Sequence, residues 1–216
     1  MKKIAVVLSG CGNKDGAEIQ EAVSLIIHLS KLNAEMTFFA PNTEFTPKNF
    51  LTNEAIHEKR NVMTESARIT RSQMKDLKQL HAKEFDAIAL PGGFGVALNL
   101  STWAKEGASC TVNPDLEKAL LEFHKQSKPI AAICIAPAIV AKVLGKFGVT
   151  VTIGDDKETA AEIQKTGAHH ETCPVDDFVT DREHKVITTP AYMYNAKPHE
   201  IFTGISALSK ELMEMA

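Results

Sequence analysis

Short apolar runs alternate with amphipathic stretches along this chain, and the alternation predicts its elements. Lys3–Ser9, Ala34–Ala40, Asp86–Leu90, residues 129–133 and Val149–Ile153 are apolar over a strand's length and bounded by polar residues, glycine or proline, as buried strands are. Between them, apolar residues recur at helical spacing. Ala17–Lys31 carries Ile19, Ala22, Val23, Ile26, Ile27 and Leu29 at such positions. Asn113–Gln126 has Pro114 in its first turn, Lys157–Thr166 ends at Gly167, and His199–Met215 is amphipathic to the end. Shorter helices are expected over Asn61–Ile69 and Leu77–Lys83. Phe178–Thr180 and Lys185–Thr189 flank a hairpin-like turn, Asp181 to His184. Asn42–Arg60 is polar, contains Pro47 and lacks periodicity, so it predicts loop; Asn99–Cys110 is polar around Trp103, the only tryptophan. This order predicts an α/β fold whose parallel sheet is covered on both faces, with one late antiparallel hairpin.

The stretch around Cys134 changes the picture from fold to chemistry. A buried strand (129–133) gives way to a helix (136–144) with Pro137 in its first turn, and Cys134 sits at the junction. Ala132 and Ala136 flank it at two residues on either side. A nucleophile on a sharp strand-to-helix turn needs small neighbours there. The helix N-terminus would favour thiolate over thiol. A buried structural cysteine fits the same residues. Two further features fall at strand ends, where ligands bind in such sheets. One is the loop Gly10-Cys11-Gly12-Asn13-Lys14-Asp15-Gly16 with Glu18 and Glu21 just after it. The other is Pro91-Gly92-Gly93-Phe94-Gly95, whose N–H groups can receive an oxyanion or simply make a tight turn. The first loop matches neither G-x-G-x-x-G nor a Walker A motif, and acids at the helix start repel phosphate.

Composition narrows the classes. At 216 residues, 44% of them hydrophobic, one α/β domain spanning residues 1–216 is expected. The net charge of −3 is interspersed, which predicts neither a nucleic-acid face nor a basic membrane patch. No apolar run approaches the roughly 20 residues of a membrane span. The N-terminal apolar run stops at Leu8, too short for a signal peptide, and a cytoplasmic protein is expected. Four cysteines, Cys11, Cys110, Cys134 and Cys173, form no C-x-x-C pair, so reduced thiols are expected and no metal site. His169 and His170, being adjacent, would point to opposite faces of a strand and cannot chelate one metal together.

These residues also resemble a known family. Leu8-Ser-Gly-Cys-Gly12, Asp15-Gly16, Glu18-Ile19 and Glu21-Ala22 are similar to the opening of ElbB-type proteins, also called enhancing-lycopene-biosynthesis proteins or isoprenoid biosynthesis glyoxalases. Arg60-Asn-Val62, Glu65-Ser-Ala-Arg-Ile69, Pro91-Gly-Gly-Phe-Gly95, Asn99-Leu-Ser101, Cys134-Ile-Ala-Pro137, Cys173-Pro-Val-Asp-Asp177 and Thr188-Thr-Pro-Ala-Tyr-Met193 continue the match over nearly the whole chain. That family lies in the class I glutamine-amidotransferase-like superfamily, beside PfpI-type peptidases and the Parkinsonism-associated deglycase. The resemblance implies a flavodoxin-like sandwich, an elbow cysteine at Cys134 and an acid from the first helix. Glu21, directly before Ala22-Val23, matches the acid's position best, with Glu18 the neighbouring candidate. PfpI-type peptidases carry a histidine after the cysteine, where this chain has Ile135; deglycase relatives carry one on the following strand, where Gly154 stands. What remains is a cysteine–carboxylate pair.

Two functions of different class follow. In the first, Cys134 adds to a small reactive aldehyde, Glu21 or Glu18 moves a proton between its two carbons, and N–H groups of Gly93 and Ile135, with Gly92 beside them, hold the oxyanion. That is a glutathione-independent glyoxalase needing no cofactor. In the second, Cys134 is a redox or carbonyl-stress sensor whose low pKa serves oxidation. A homodimer using part of Asn42–Arg71 is expected, since superfamily relatives are commonly dimers.

Overall fold

The computed structural model describes all residues, 1–216. Its strands, in chain order, are β1 (Lys3–Val7), β2 (Glu35–Ala40), β3 (Glu44–Phe45), β4 (Arg60–Asn61), β5 (Lys75–Asp76), β6 (Ala87–Leu90), β7 (Ile130–Ile133), β8 (Thr150–Val151), β9 (His169–His170), β10 (Val179–Asp181) and β11 (Val186–Thr189). Seven form the central sheet in the order β10-β11-β7-β6-β1-β2-β5. All neighbours are parallel except β10 and β11, the late hairpin. From β1 the chain steps to β2 and β5 on one side and to β6, β7 and β11 on the other. The direction therefore reverses at β1/β6, and the crevice at the carboxyl ends of the strands opens there.

Strand periodicity divides the core in two. Ile4, Val6 and Leu8 pack on one face of the sheet; Ala5 and Val7 pack on the other. The first face is covered by α1 (Ile19–Lys31) and α8 (Pro198–Met215) through Leu25, Leu29, Ile201, Ile205 and Leu208. The second is covered by α5 (Pro114–Lys125) and α6 (Ala136–Leu144) through Leu116, Leu120, Phe123, Ile139 and Leu144. Burial on both faces explains why the strands read as continuous apolar runs rather than alternating ones. The short helices α2 (Val62–Ser66), α3 (Phe94–Leu98) and α4 (Trp103–Glu106), with α7 (Lys157–Lys165), complete the set. This is the mostly parallel, helix-flanked α/β sandwich that the alternation and the resemblance implied.

Several elements differ from expectation. The first helix begins at Ile19, because the Glu18 side chain caps it by accepting the Glu21 N–H at 2.6 Å. Its buried face is Glu21, Ala22, Leu25, His28 and Leu29, whereas Ile19, Val23 and Ile27 face outward. Apolar residues surround much of this helix, so periodicity offered two stripes; packing against α8 and the sheet selects the second. Val149–Ile153 does not join the central sheet. Only Thr150 and Val151 pair, with His169 and His170, in a separate two-stranded ribbon. The polar stretch after Asn99 contains α4, and Asn42–Arg60 is mostly irregular, closed by the small β3–β4 ribbon.

Candidate active site at the cysteine elbow

Cys134 stands between β7 and α6 with φ of 63°, a left-handed conformation that costs a non-glycine residue roughly 1–3 kcal/mol. Its N–H donates to the Thr189 carbonyl at 2.9 Å, which fixes the turn to β11. Room for this fold-back comes partly from Gly92. A Cβ at that position would lie 2.4 Å from the Cys134 Cβ and 2.8 Å from Glu21 Oε2. Only a residue without a side chain lets the sulfur, the carboxyl and the β6 loop meet.

Glu21 is fully buried and completely partnered. Its Oε2 accepts the Gly92 N–H at 3.0 Å and its Oε1 accepts the Tyr192 N–H at 3.2 Å, and the carboxyl meets Cys134 at Gly92. Burial, then the charge of Glu18, pushes its carboxyl up to about 8, against the opposing pull of Tyr192, Cys134 and Gly92. Glu18 is half-buried, and its carboxyl is raised by burial against the N–H groups of Glu21 and Gln20. The pairing thus falls to Glu21, while Glu18 holds the helix end and lines the groove.

The Gly93 and Ile135 N–H groups, the two donors expected from the sequence, act on the Cys134 sulfur by drawing the thiol's pKa down. Gly92 does not join them, since its N–H is committed to Glu21. The expected low-pKa thiolate is reversed as well. Burial first, and then the Glu21 charge, push the thiol well above its ordinary range, and the two N–H donors offset only part of this. The other cysteines are also raised, chiefly by burial, and all four are free thiols.

A groove of about 1230 Å³ opens above the sulfur. Cys134 and Ile135 lie at its floor. Phe94, Ala97 and Trp103 to Lys105 form one side; Asp156, Glu158, Glu162 and residues 192–195 form the other. The sides meet where Glu162 accepts the Ala108 N–H at 2.9 Å. Sequence reasoning gave no site role to Tyr192, whose backbone holds Glu21, whose hydroxyl donates to Gln20 and whose ring lines the groove. Its signal was the Pro190-Ala191-Tyr192 run closing β11, where Ala191 has φ of 42°. The two glycine-rich loops are also stitched together. The Phe94 N–H donates to the Asn13 carbonyl, and the Asn99 amide reaches the carbonyls of Ser9 and Asp15, each at 2.8 Å.

None of the groove's lining residues is a histidine. At Gly154 the Tyr194 ring occupies the space: a Cβ there would lie 2.6 Å from Tyr194 Cε2. No group of three His, Cys, Asp or Glu side chains is arranged to hold a metal ion. His169 is exposed, while half-buried His170 accepts the Ile153 N–H at 3.3 Å.

Comparison with known proteins places this geometry. Residues 13–191 match the model of the DJ-1/PfpI family. The chain belongs to that family. It is similar to the Homo sapiens glutamine amidotransferase-like class 1 domain-containing protein 3, mitochondrial, at 43% identity over 99% of this chain and 83% of that protein. It is 36% identical to the Danio rerio ES1 protein, mitochondrial, over 98% of this chain and 85% of the relative. A crystal structure of an isoprenoid biosynthesis protein with an amidotransferase-like domain from Ehrlichia chaffeensis superposes with a TM-score of 0.94, at 35% identity over 100% of this chain and 99% of that one. These relatives correct one expectation. The cytoplasmic reading rested on the short apolar N-terminal run, whereas these curated relatives are named as mitochondrial proteins. No helix is long and apolar enough to cross a membrane.

Proposed function

We propose that this member of the DJ-1/PfpI family is an ElbB-type, glutathione-independent glyoxalase, converting glyoxal-type 2-oxoaldehydes to 2-hydroxy acids. The observation that carries the reading is the fully buried Glu21 carboxyl meeting Cys134 at Gly92, on an elbow whose neighbouring Gly93 and Ile135 N–H groups favour the thiolate. The name of the Ehrlichia chaffeensis relative supports the ElbB-type assignment.

The Cys134 sulfur bonds to the aldehyde carbon, and its proton passes to the former aldehyde oxygen, giving a hemithioacetal. Glu21 then takes the hydrogen of that carbon as a proton, and a proton returns to the neighbouring carbon through an enediol. The hemithioacetal becomes a thioester while the adjacent ketone or aldehyde becomes an alcohol. Water cleaves the thioester, releasing the 2-hydroxy acid and restoring the thiol. No outside oxidant enters, because one carbon is oxidised as its neighbour is reduced. A carboxyl near 8 exchanges its proton close to neutral pH, where a general acid–base works best. The Gly93 and Ile135 N–H groups serve the oxyanion. With no histidine to deprotonate a raised thiol, turnover is slow. An aldehyde tolerates that, being more electrophilic than an amide.

The sensor reading needs a low-pKa thiol, and burial moves Cys134 the other way. The deciding experiment is glycolate formation from glyoxal by wild type and Cys134→Ala. Equal consumption by both, without glycolate, would mean adducts on lysine and arginine and no glyoxalase. The working form is proposed to be one domain per chain in a homodimer built through part of residues 42–71, where Phe50 and Leu51 are exposed. A monomeric mass by light scattering at micromolar concentration would refute the dimer.

A further inference from the structure

The groove is many times larger than a two-carbon aldehyde requires, and its lining is not neutral. Four carboxylates, Glu18, Asp156, Glu158 and Glu162, share it with one ammonium, Lys105. Glu162 pairs with Lys165. Asp156 caps α7, accepting the Thr159 N–H at 2.7 Å, and makes no ion pair, so only the helix N-terminus offsets its charge. Glu158 takes part in no ion pair, and Glu18 accepts only backbone N–H groups. Three carboxylates therefore stand against one lysine. The rings of Phe94, Tyr192 and Tyr194 line the same space, and aromatic faces attract organic cations. Apart from Lys105, the groups that favour an anion are the Gly93 and Ile135 N–H, which act at the sulfur. A substrate reaching Cys134 thus meets donors at its reacting oxygen and acids along its body.

We propose that the groove selects carbonyl substrates whose body carries a positive charge, an amine-bearing 2-oxoaldehyde being the simplest, and turns away phosphate- or carboxylate-bearing ones. This rests on the reading of Cys134 as the residue that receives the carbonyl. A low-dielectric cleft lined by one sign of charge raises the local concentration of the opposite sign and the rate at which it arrives.

The test reads the charge preference without requiring turnover. Three methanethiosulfonate reagents, bearing trimethylammonium-ethyl, methyl and sulfonatoethyl groups, are applied to Cys11→Ser protein. In each, the sulfur forms a mixed disulfide and releases methanesulfinate, and modification of Cys134 is timed by mass spectrometry. Each rate is divided by that of N-acetylcysteine with the same reagent. At an ionic strength of about 0.01 M, where the screening length is about 30 Å, the cationic reagent should be favoured over the anionic one by about tenfold. The preference should collapse at about 1 M salt, where that length is about 3 Å. It should also fall severalfold in the double variant Asp156→Asn, Glu158→Gln, in which asparagine keeps an acceptor for the Thr159 N–H. A normalised ratio of one or below in wild type overturns the proposal. So does failure of all three reagents to reach Cys134, since such a groove admits no substrate of this size. Glyoxal turnover by the same protein reports separately on the glyoxalase reading: a flat charge ratio with turnover intact sinks only the charge preference.

Discussion

The floor of the groove and its walls are built on opposite principles. Cys134 at the floor and Glu21 beneath it are buried, both Glu21 carboxyl oxygens accept backbone N–H groups, and the elbow holds a left-handed φ. On the walls, Asp156, Glu158 and Lys105 are exposed. The floor's chemistry comes from backbone donors and two side chains locked by packing. The walls set aromatic rings beside exposed charges that solvent screens. Substitutions on the floor should therefore be severe and specific, and those on the walls mild and dependent on salt.

The largest effect expected is on the sulfur. Cys134→Ala should bring glycolate formation down to the uncatalysed background while circular dichroism and thermal midpoint stay close to wild type. Glu21→Gln comes next, with a loss of about 10²–10⁴-fold in kcat, the usual worth of a positioned general acid–base. The amide also meets N–H donors on both sides and can accept from only one of them. Parity between Glu21→Gln and wild type would remove the proton shuttle from the floor.

The same carboxyl makes stability depend on pH. Its folded pKa of about 8 lies above the ordinary 4.5. Below 4.5, folded and unfolded chains both hold the proton and the contribution is fully present. As pH rises toward 8, only the folded chain holds it, so stability falls by about 1.4 kcal/mol per pH unit. Urea unfolding of wild type from pH 5 to 8 should show that decline, and Glu21→Gln should lack it. Parallel curves would mean that Glu21 ionises normally.

Gly92→Ala should follow in size. Its methyl would overlap the Cys134 Cβ and Glu21 Oε2, and overpacking of this kind costs about 1–3 kcal/mol. In a chain of this length that lowers Tm by about 2–4 °C per kcal/mol, with turnover falling too. The smallest effect is expected at the rim. Glu18→Gln keeps an acceptor for the Glu21 N–H and should change kcat/KM less than about threefold. A loss as large as that of Glu21→Gln would make the two carboxyls a joint floor.

How much of this was legible varies by element. The strand, Cys134 and Pro137 helix were readable because an apolar run and a first-turn proline specify both elements; the helix keeps its expected bounds and the strand begins one residue later, at Ile130. The glycine turn after β6 left open whether its N–H groups serve an oxyanion or only a tight turn, and Gly93 and Ile135 were named as donors within the glyoxalase reading. The thiol's direction did not follow. A helix N-terminus is visible in sequence, but the burial that outweighs it depends on Glu21 and Gly92 arriving from other elements. The outward Ile19, Val23 and Ile27 were misassigned for a similar reason, since periodicity cannot choose between two apolar stripes on one helix. Tyr192 escaped because it acts at Glu21 through its main-chain N–H, which every residue but proline possesses.

One consequence reaches into how the chain folds. Glu21 is held by donors from residues 92 and 192, and the Cys134 turn is pinned to the carbonyl of Thr189. These contacts span 71, 171 and 55 residues, and closing such long loops is slow compared with forming helices. The elbow's strained backbone therefore has nothing to hold it until β11 has docked beside β7. The shape of the elbow is therefore completed by the last strand of the sheet.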